Sequence, residues 1–383
     1  MKASAFFVFI SIVLSIYGAA SYYVYIHGRN ALSGYGFLKL PYTIIFIFLS
    51  LSYIAARFLQ AYKHSDLSNF FLLVGSFWMA ALVYFFLAGL FIDIIRSVNH
   101  FVSIYPAYVY HNYEKTKLYV LILISAATAS TLAYGYINAR NSVINEYAIN
   151  TKKNLSGTIN VVVASDIHLG VLSGSKWFDE QVEKINSLNP DVILLAGDVI
   201  DEDVKPVIEQ NLGEHLLNLK AKYGVYAITG NHEYIGGVEP AVKYLTEHGI
   251  KVLRDTSVVI DNRFYLIGRE DKDRKRFTGM ERKTLDELMK GVDASLPVIH
   301  LNHQPADLSE LEGKNIDLSV SGHTHHGQFW PNSIVTNLIY EVSRGLVRKY
   351  GTNIYVSNGL GTWGPPIRVG NRPEIVKFVL RAE

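Results

Sequence analysis

Aspartate, asparagine and histidine recur in five short segments of the second half of the chain, each directly behind a run of β-branched residues. The segments are Ser165-Asp166-Ile167-His168, Gly197-Asp198-Val199-Ile200-Asp201, Gly230-Asn231-His232-Glu233, His303-Gln304-Pro305 and Gly322-His323-Thr324-His325. Carboxylate, amide and imidazole groups are the ligands that Mn, Fe and Zn ions accept. Two such ions about 4 Å apart can share a bridging carboxylate and a bridging hydroxide, and they offset the charge of a phosphate. These residue types therefore predict a metal centre suited to phosphoester chemistry.

Each segment alone also fits an ordinary structural role. Asp-x-His is frequent at turns and helix caps, and Gly-Asn-His-Glu fits a hairpin turn. A single histidine at a strand end is more often a polar residue with a partner than a ligand. All five segments in order, each after a predicted strand, favour a site over coincidence.

Strands and helices that would position these segments alternate from Thr158 onward. The predicted strands are Asn160–Ser165, Asp191–Ala196, Gly224–Thr229, Arg263–Ile267, Pro297–Leu301, Ile316–Val320, Asn353–Val356 and Ile375–Leu380. The predicted helices are Lys176–Leu188, Asp203–Lys222 and Glu239–His248. This alternation, with nearly continuous apolar strands, predicts a layered α/β fold. Ligands of such folds collect beyond the carboxyl ends of the strands, where the five segments lie.

The ordered pattern resembles that of the calcineurin-like metallophosphoesterase superfamily, over about residues 158–383. The tail is similar to the membrane-associated bacterial branch of that superfamily in Gly327-Gln328, Pro331, Ser357–Gly361, Pro365-Pro366, Arg368 and Pro373-Glu374-Ile375. The resemblance implies a layered αββα sandwich. His326 stands where relatives often have glycine, and Asn358 where they often have arginine, so the departures concern substrate contacts rather than metal ligands.

The same resemblance implies a role for each polar residue of the five segments. One metal would be held by Asp166, His168, Asp198 and His325, and the other by Asp198, Asn231, His303 and His323, with Asp198 bridging the two. His232 would protonate the leaving oxygen, and Asp201 would orient His232. The nucleophile would be a hydroxide that bridges the metals. The expected cofactors are two divalent ions, with Mn favoured and Fe or Zn left open.

The first half of the chain is apolar and aromatic, and it contains four runs long enough to span a bilayer as helices. They extend over Ala3–Ile26, Phe37–Leu59, Asn69–Ile95 and Lys117–Ala139, where about 20 apolar residues suffice. We expect an all-α transmembrane region over residues 1–145, a phosphoesterase domain over residues 146–383, and a junction at Asn141–Thr158. Buried helices of a soluble domain are the alternative, and the first run also fits a cleaved signal peptide.

Composition narrows the possible partners and the side of the membrane. The 383 residues have a net charge of +2 and no cysteine, so we expect no nucleic-acid partner and no thiolate chemistry. Four spans place both termini on one side. The side that carries the termini would have six basic residues near the membrane, namely Lys2, Arg57, Lys63, Arg140, Lys152 and Lys153. The other side would have five, namely Arg29, Lys39, Arg96, Lys115 and Lys117. The count leans toward a cytoplasmic catalytic domain in a multi-pass protein of the cell membrane.

The expected function is hydrolysis of a phosphoester or pyrophosphate by a membrane-anchored enzyme, on a lipid-linked or a soluble phosphorylated substrate. A metal-binding sensor or anchor without catalysis is the alternative. A transport role for the spans is disfavoured because they contain few ionisable residues. The basic stretch Arg269–Arg276 is interpreted as a solvated loop or a lid for anionic headgroups. Phe277, Trp330 and Trp363 are candidates for pocket walls or core.

Overall fold

The computed structural model describes residues 3–383 and divides the chain into two compact units. The first comprises Met1–Tyr134 with Gly364–Pro366, and the second comprises Gly135–Trp363 with Ile367–Glu383. The division along the chain falls inside the last long helix of the apolar half. That helix therefore begins in the first unit and ends in the second.

The first unit consists of helices. They are α1 (Ala3–Ala31), α2 (Gly36–Tyr62), α3 (Asp66–Val102), α4 (Ala107–His111) and the first part of α5 (Tyr113–Arg140). Four of these helices, all except α4, are long and apolar enough to cross a membrane. The prediction of four apolar spans is confirmed, although α3 continues beyond the predicted end to Val102.

Helices of the first unit pack through small and aromatic residues. A side chain at Gly75 of α3 would lie 2.3 Å from the backbone nitrogen of Tyr53 in α2, so this glycine permits close approach of the two helices. Phe46 and Trp78 meet edge to face at 5.1 Å between ring centroids. Many other apolar side chains of these helices are exposed, as lipid-facing residues would be.

Two six-stranded sheets form the centre of the second unit. The strands are β1 (Val143–Thr151), β2 (Thr158–Ala164), β3 (Val192–Ala196), β4 (Val225–Ile228), β5 (Ile250–Val252), β6 (Thr256–Ile260), β7 (Phe264–Gly268), β8 (Val298–Leu301), β9 (Leu318–Ser321), β10 (Gly345–Lys349), β11 (Thr352–Val356) and β12 (Glu374–Ala382). The first sheet has the order β1-β12-β2-β3-β4-β5, and the second has the order β10-β11-β9-β8-β7-β6. Strands β2 to β5 are mutually parallel, as are β7, β8, β9 and β11.

The helices of this unit are short. They are α6 (Ser175–Ser187), α7 (Lys205–Glu209), α8 (Gly213–Leu216), α9 (Asn231–Gly236), α10 (Val238–Glu247), α11 (Arg274–Thr278), α12 (Leu285–Met289) and α13 (Asn332–Ile339), with 3₁₀ turns at Leu308–Leu311 and His325–Gly327. Alternate residues of β2 face opposite sides, as a strand requires. Val161 and Val163 enter the core between the sheets, and Val162 packs with Phe178 of α6. A third core lies between the second sheet and α12. These layers confirm the predicted αββα sandwich.

Two of the differences from the elements expected from sequence concern the predicted junction and the second predicted helix. The predicted junction contains β1, which pairs in parallel with β12 from Val143 to Thr151. Its first half is only partly buried, so its apolar pattern is weak and its partner lies far away in sequence. The predicted helix Asp203–Lys222 is instead α7 and α8. Asn211 between them has φ +55°, a left-handed conformation that interrupts a helix.

Candidate metal centre

The five polar segments follow five strand ends that meet at one edge of the sandwich. Strands β2, β3 and β4 of the first sheet and β8 and β9 of the second carry them. Backbone bonds join neighbouring loops, since the amide of His168 donates to the Asp198 carbonyl at 3.0 Å and the amide of Gly322 donates to the His303 carbonyl at 2.9 Å. Parallel strands thereby bring residues from positions far apart in the sequence to one place.

One group of side chains comprises Asp166, His168 and His325, whose ligand atoms all lie within 4.8 Å of one another. The Nε2 atoms of His168 and His325 are 3.0 Å apart, and Nε2 of His325 lies 3.5 Å from Oδ1 of Asp166. All three residues are buried. Two imidazole nitrogens and a carboxylate facing a common point form a suitable cradle for a divalent ion.

A second group comprises Asp198, His303 and His323, again within 4.8 Å. Nε2 of His303 lies 3.1 Å from Oδ2 of Asp198, and the Nδ1 of His303 is 2.8 Å from the Ala196 carbonyl oxygen. That carbonyl oxygen accepts a hydrogen bond from the Nδ1–H group, so Nε2 is the ring nitrogen that faces the cluster. Oδ1 of Asn231 lies 2.7 Å from Nδ1 of His323.

Asp198 connects the two groups. Its Oδ2 is 3.1 Å from Nε2 of His303 and 4.0 Å from Nε2 of His168. The structure thus brings together all seven residues that the resemblance implied as metal ligands. Asp198 lies between the two sets, in the position that a bridging carboxylate would need.

The donor set fits divalent cations. Among residues 3–383, Oδ2 of Asp166 and Nε2 of His303 are buried polar atoms that lack a partner with hydrogen-bond geometry. Buried polar atoms without partners are costly and uncommon in proteins. Ligation of a cation would satisfy oxygen and nitrogen lone pairs at this position, so the chemistry of the cluster agrees with a two-metal site.

The backbone at these residues is strained. Asp166, His168, Asp198, His323 and His325 all have φ between +45° and +70°, a left-handed region that non-glycine residues rarely adopt. Residues held in this way cost of order 1–3 kcal/mol each and concentrate at functional sites. Surrounding packing and hydrogen bonds must therefore hold the five side chains in this arrangement.

Two glycines give the ligands the space they need. A Cβ atom at Gly230 would lie 2.1 Å from Oδ1 of Asp198, and one at Gly322 would lie 2.2 Å from Oδ2 of Asp166. Any side chain at either position would displace a carboxylate. The glycines that begin the third and fifth segments are thus explained by close approach to the ligands.

His232 and Asp201 lie beside the cluster. The amide of His232 donates to Oδ1 of Asp198 at 2.8 Å, and its Nδ1 lies 3.0 Å from Oδ1 of Asp201. The His232 ring also meets Trp363 edge to face at 5.8 Å between centroids. The second imidazole nitrogen, Nε2, is left for another partner.

Burial and mutual charges shift the pKa values of these groups in opposite directions. Burial would lower the pKa of His232, but Asp198 and Asp201 raise it to about 9. Burial, together with the nearby His303, lowers the pKa of His323 to about 3. Burial would raise the pKa of Asp198, yet His303 and His232 hold it well below its ordinary value. These carboxylates thus favour the protonated form of His232, and Asp198 also raises the pKa of His303 well above its ordinary value, whereas the surroundings of His323 favour its neutral imidazole.

Two functional neighbours received no role from sequence reasoning. The first is Glu233, whose carboxylate accepts hydrogen bonds from the amides of Asp198, Ile200 and Gly230 at 3.1, 3.0 and 2.7 Å. Glu233 thereby joins the second and third segments. Its place in the Gly-Asn-His-Glu motif was the available signal.

Arg368 is the other neighbour, and it is fully buried. It donates to the carbonyls of Gly359 and Gly361 at 3.1 and 2.6 Å, and its Nη2 lies 3.2 Å from Nδ1 of His325. Its place among the tail residues that resemble the membrane-associated branch was the available signal.

The remaining predictions from sequence concern three aromatic residues and the basic stretch 269–276. Trp363 contacts His232, while Phe277, Trp330 and Trp363 all remain partly exposed. In the basic stretch, Arg269 pairs with Glu310 at 2.5 Å and Arg274 with Asp255 at 2.7 Å. The stretch is therefore not the solvated loop expected from sequence, because residues 269–271 are buried and Arg274 begins α11.

Comparisons with known proteins show what this chain is similar to. The family model "Calcineurin-like phosphoesterase" matches residues 159–327. An "Uncharacterized metallophosphoesterase" of Aquifex aeolicus is 33% identical over 258 residues, which are 66% of this chain and 96% of that protein. A relative with the same description from Helicobacter pylori J99 is 35% identical over 219 residues, 56% of this chain, and the chain spans only 57% of its length.

A third relative is described as a transmembrane protein. The "Transmembrane protein with metallophosphoesterase domain" of Danio rerio is 29% identical over 357 residues, which are 88% of this chain and 80% of that protein. Among solved structures, a 5'-nucleotidase precursor from Thermus thermophilus matches with a TM-score of 0.37 and 16% identity, over 58% of this chain and 54% of that one.

Proposed function

Because the chain belongs to the calcineurin-like phosphoesterase family, we propose that it hydrolyses a phosphoester or phosphoanhydride at a centre for two divalent metal ions. The observation that carries this proposal is the position of the Asp198 carboxylate, which belongs to one group of candidate ligands and lies 4.0 Å from Nε2 of His168 in the other. A single structural metal would need only one of the groups. A carboxylate placed between two such groups is suited to a metal pair.

Seven side chains would hold the ions. Those of one ion are Asp166, His168, Asp198 and His325, and those of the other are Asp198, Asn231, His303 and His323. When bound, such ions supply Lewis acidity and lower the pKa of water, and Mn, Fe and Zn all suit this ligand set. We favour Mn. The hydrogen bond that Nδ1 of His303 donates to the Ala196 carbonyl would orient the ring with Nε2 as the ligand atom.

His232 would serve as the general acid. Attack of hydroxide on phosphorus would break the bond to the departing oxygen, and Nε2 of His232 would give that oxygen its proton. The carboxylates of Asp198 and Asp201, which raise the pKa of His232 to about 9, favour the protonated ring that an acid requires. Asp201, whose Oδ1 is 3.0 Å from the other ring nitrogen, would act as a positioning residue.

A direct test measures hydrolysis by the purified full-length protein in detergent. After loading with Mn²⁺, Fe²⁺ or Zn²⁺, the protein is assayed with p-nitrophenyl phosphate, bis-p-nitrophenyl phosphate and phosphatidic acid. The Asp198→Asn variant, purified identically, excludes contaminating phosphatases. We expect turnover that depends on metal and on Asp198. Folded, metal-loaded protein without turnover on any phosphoester would instead favour the role of a metal-binding sensor or anchor.

The apolar helices support a lipid-linked substrate. A membrane protein meets lipid phosphates or lipid-linked pyrophosphates at high local concentration, and we place these ahead of soluble nucleotides. We also propose a cytoplasmic catalytic unit, from the slight excess of basic residues on its side. A reporter fused after Glu383 tests the side, because phosphatase activity of an exported alkaline phosphatase would contradict a cytoplasmic position.

A further inference from the structure

Helix α13 exposes its apolar residues. Leu338 is 82% exposed and Ile339 67%, and Ile334 and Val335 are both more than half exposed. The helix buries none of its residues. Trp330, two residues before it, is 53% exposed. A surface helix normally turns its apolar stripe to the core, and an exposed apolar patch usually marks a binding surface.

Trp330 is held at a defined place within the second unit. Its amide donates to the Val369 carbonyl at 2.8 Å, and the amide of Val369 donates to the Gln328 carbonyl at 3.2 Å. Phe329 is buried beside it and forms a bridge with Val369. The exposed ring and helix therefore extend from an ordered base rather than from a loose loop.

The same base holds the end of the last span. The amide of Arg368 donates to the Gly135 carbonyl at 2.9 Å, and Nδ2 of Asn138 donates to the carbonyls of Arg368 and Asn371 at 2.9 and 2.8 Å. Gly135 and Asn138 belong to the last turns of α5, which ends at Arg140. The segment 368–371 is thus bound on one side to the end of a membrane-spanning helix and on the other to Trp330.

We propose that Trp330 and α13 insert into the headgroup–acyl boundary of the membrane that α5 spans. Tryptophan is enriched at this boundary, and short apolar helix faces bind there about 5–10 Å deep. We identify the bilayer as the partner of this apolar surface because the end of α5 is fixed through residues 368–371 to Trp330, which lies two residues before α13. A partner protein or a second copy of the chain would need no such connection.

Docking would also bring the metal centre to the lipid surface. The 3₁₀ turn His325–Gly327 lies a few residues before Trp330, so a docked helix would keep the ligand loop close to the headgroup layer. A catalytic role for this position rests on the proposed hydrolysis. Docking does not depend on hydrolysis, and fluorescence can measure docking without an activity assay.

The absence of cysteine allows a single probe to be attached at a chosen position. Leu338→Cys carries the label on the exposed apolar helix. Leu217→Cys is the matched control, because Leu217 is also an exposed leucine and lies shortly before β4, at the opposite strand ends from the site. Each full-length variant is labelled with an environment-sensitive NBD fluorophore and reconstituted into phosphatidylethanolamine–phosphatidylglycerol vesicles.

Two quenchers then distinguish the possible environments of the label. We expect the label at position 338 to emit at shorter wavelength than that at 217 and to lose emission with nitroxide-labelled lipids, but not with aqueous iodide. Equal iodide quenching at both positions would overturn the proposal. A blue-shifted label at 338 that neither quencher reaches would also overturn it, since the patch would then be covered by protein.

Discussion

Oδ1 of Asp201 lies 3.0 Å from Nδ1 of His232, and this pair gives the sharpest test of the proposed acid. His232→Ala should retain both metals and lose about 10²- to 10⁴-fold in turnover, the usual contribution of a general acid. Turnover and metal content are measured on one preparation. An alanine variant with full activity would remove His232 from the mechanism.

Asp201→Asn tests the positioning role separately. The amide keeps the size of the side chain but removes the negative charge that helps to raise the pKa of His232. We expect the alkaline limb of the pH–rate profile to move to lower pH, because His232 would lose its proton more readily. The profile from pH 6 to about 10 decides the question, since a purely structural residue would lower the rate without moving the limb.

Asp198 should be indispensable for both ions. Asp198→Asn replaces the shared carboxylate by a neutral amide, so we expect metal content and turnover to fall together. Metal is counted by mass spectrometry of the purified protein. Asp293→Asn makes the same chemical change at an exposed position, and it should keep both properties. Full metal content in Asp198→Asn would refute a bridging role.

Metal binding should also require the space at Gly230. Gly230→Ala should displace the Asp198 carboxylate, because the added Cβ would lie 2.1 Å from Oδ1. Gly174→Ala is a suitable control, since no atom lies within 4 Å of the Cβ position there. We expect metal binding to be lost only in the first variant. Equal metal binding by the two variants would contradict the close approach.

His300 should make the stability of the second unit depend on pH. Burial, with Arg269 and Arg282 nearby, lowers the pKa of His300 to about 3, whereas an unfolded histidine titrates near about 6.5. Between these values the unfolded chain binds a proton that the folded chain does not, so stability is retained above about pH 6.5 and falls as the pH decreases. The loss is about 1.4 kcal/mol per pH unit.

The matching experiment compares thermal unfolding of the wild type and His300→Asn at pH 7 and pH 5. Asparagine can still bond to the Ser319 hydroxyl, which lies 3.0 Å from Nδ1 of His300. We expect the variant to lose less stability than the wild type between the two pH values. Parallel losses in both proteins would mean that His300 is not the group responsible.

Prediction of the fold and the site from sequence was most successful where an apolar strand pattern is followed directly by a polar segment. Strands β2, β3, β4, β8 and β9 are short, apolar runs that end directly before polar segments, so both the layers and the convergence of Asp166, Asp198 and His303 could be anticipated. The apolar spans were equally visible, because runs of about 20 apolar residues are the length that a bilayer core requires of a helix.

Features that depend on long-range contacts could not be predicted in the same way. Strand β1 has an ordinary partly exposed pattern, and only its pairing with β12 some 230 residues later makes it part of the sheet. The burial of Arg368 depends on the carbonyls of Gly359 and Gly361, whose positions are set by the folded loop. The exposure of α13 is likewise invisible in sequence, since its apolar residues would suit a buried helix.

The position of β12 has a consequence for biosynthesis. This strand lies between β1 and β2 and bonds to both, so the first sheet has a gap until Glu374–Ala382 has left the ribosome. The apolar helices can enter the bilayer during translation, while the second unit waits for residues 374–382 to be added. A premature stop before Glu374 would therefore leave an inserted protein whose first sheet cannot close.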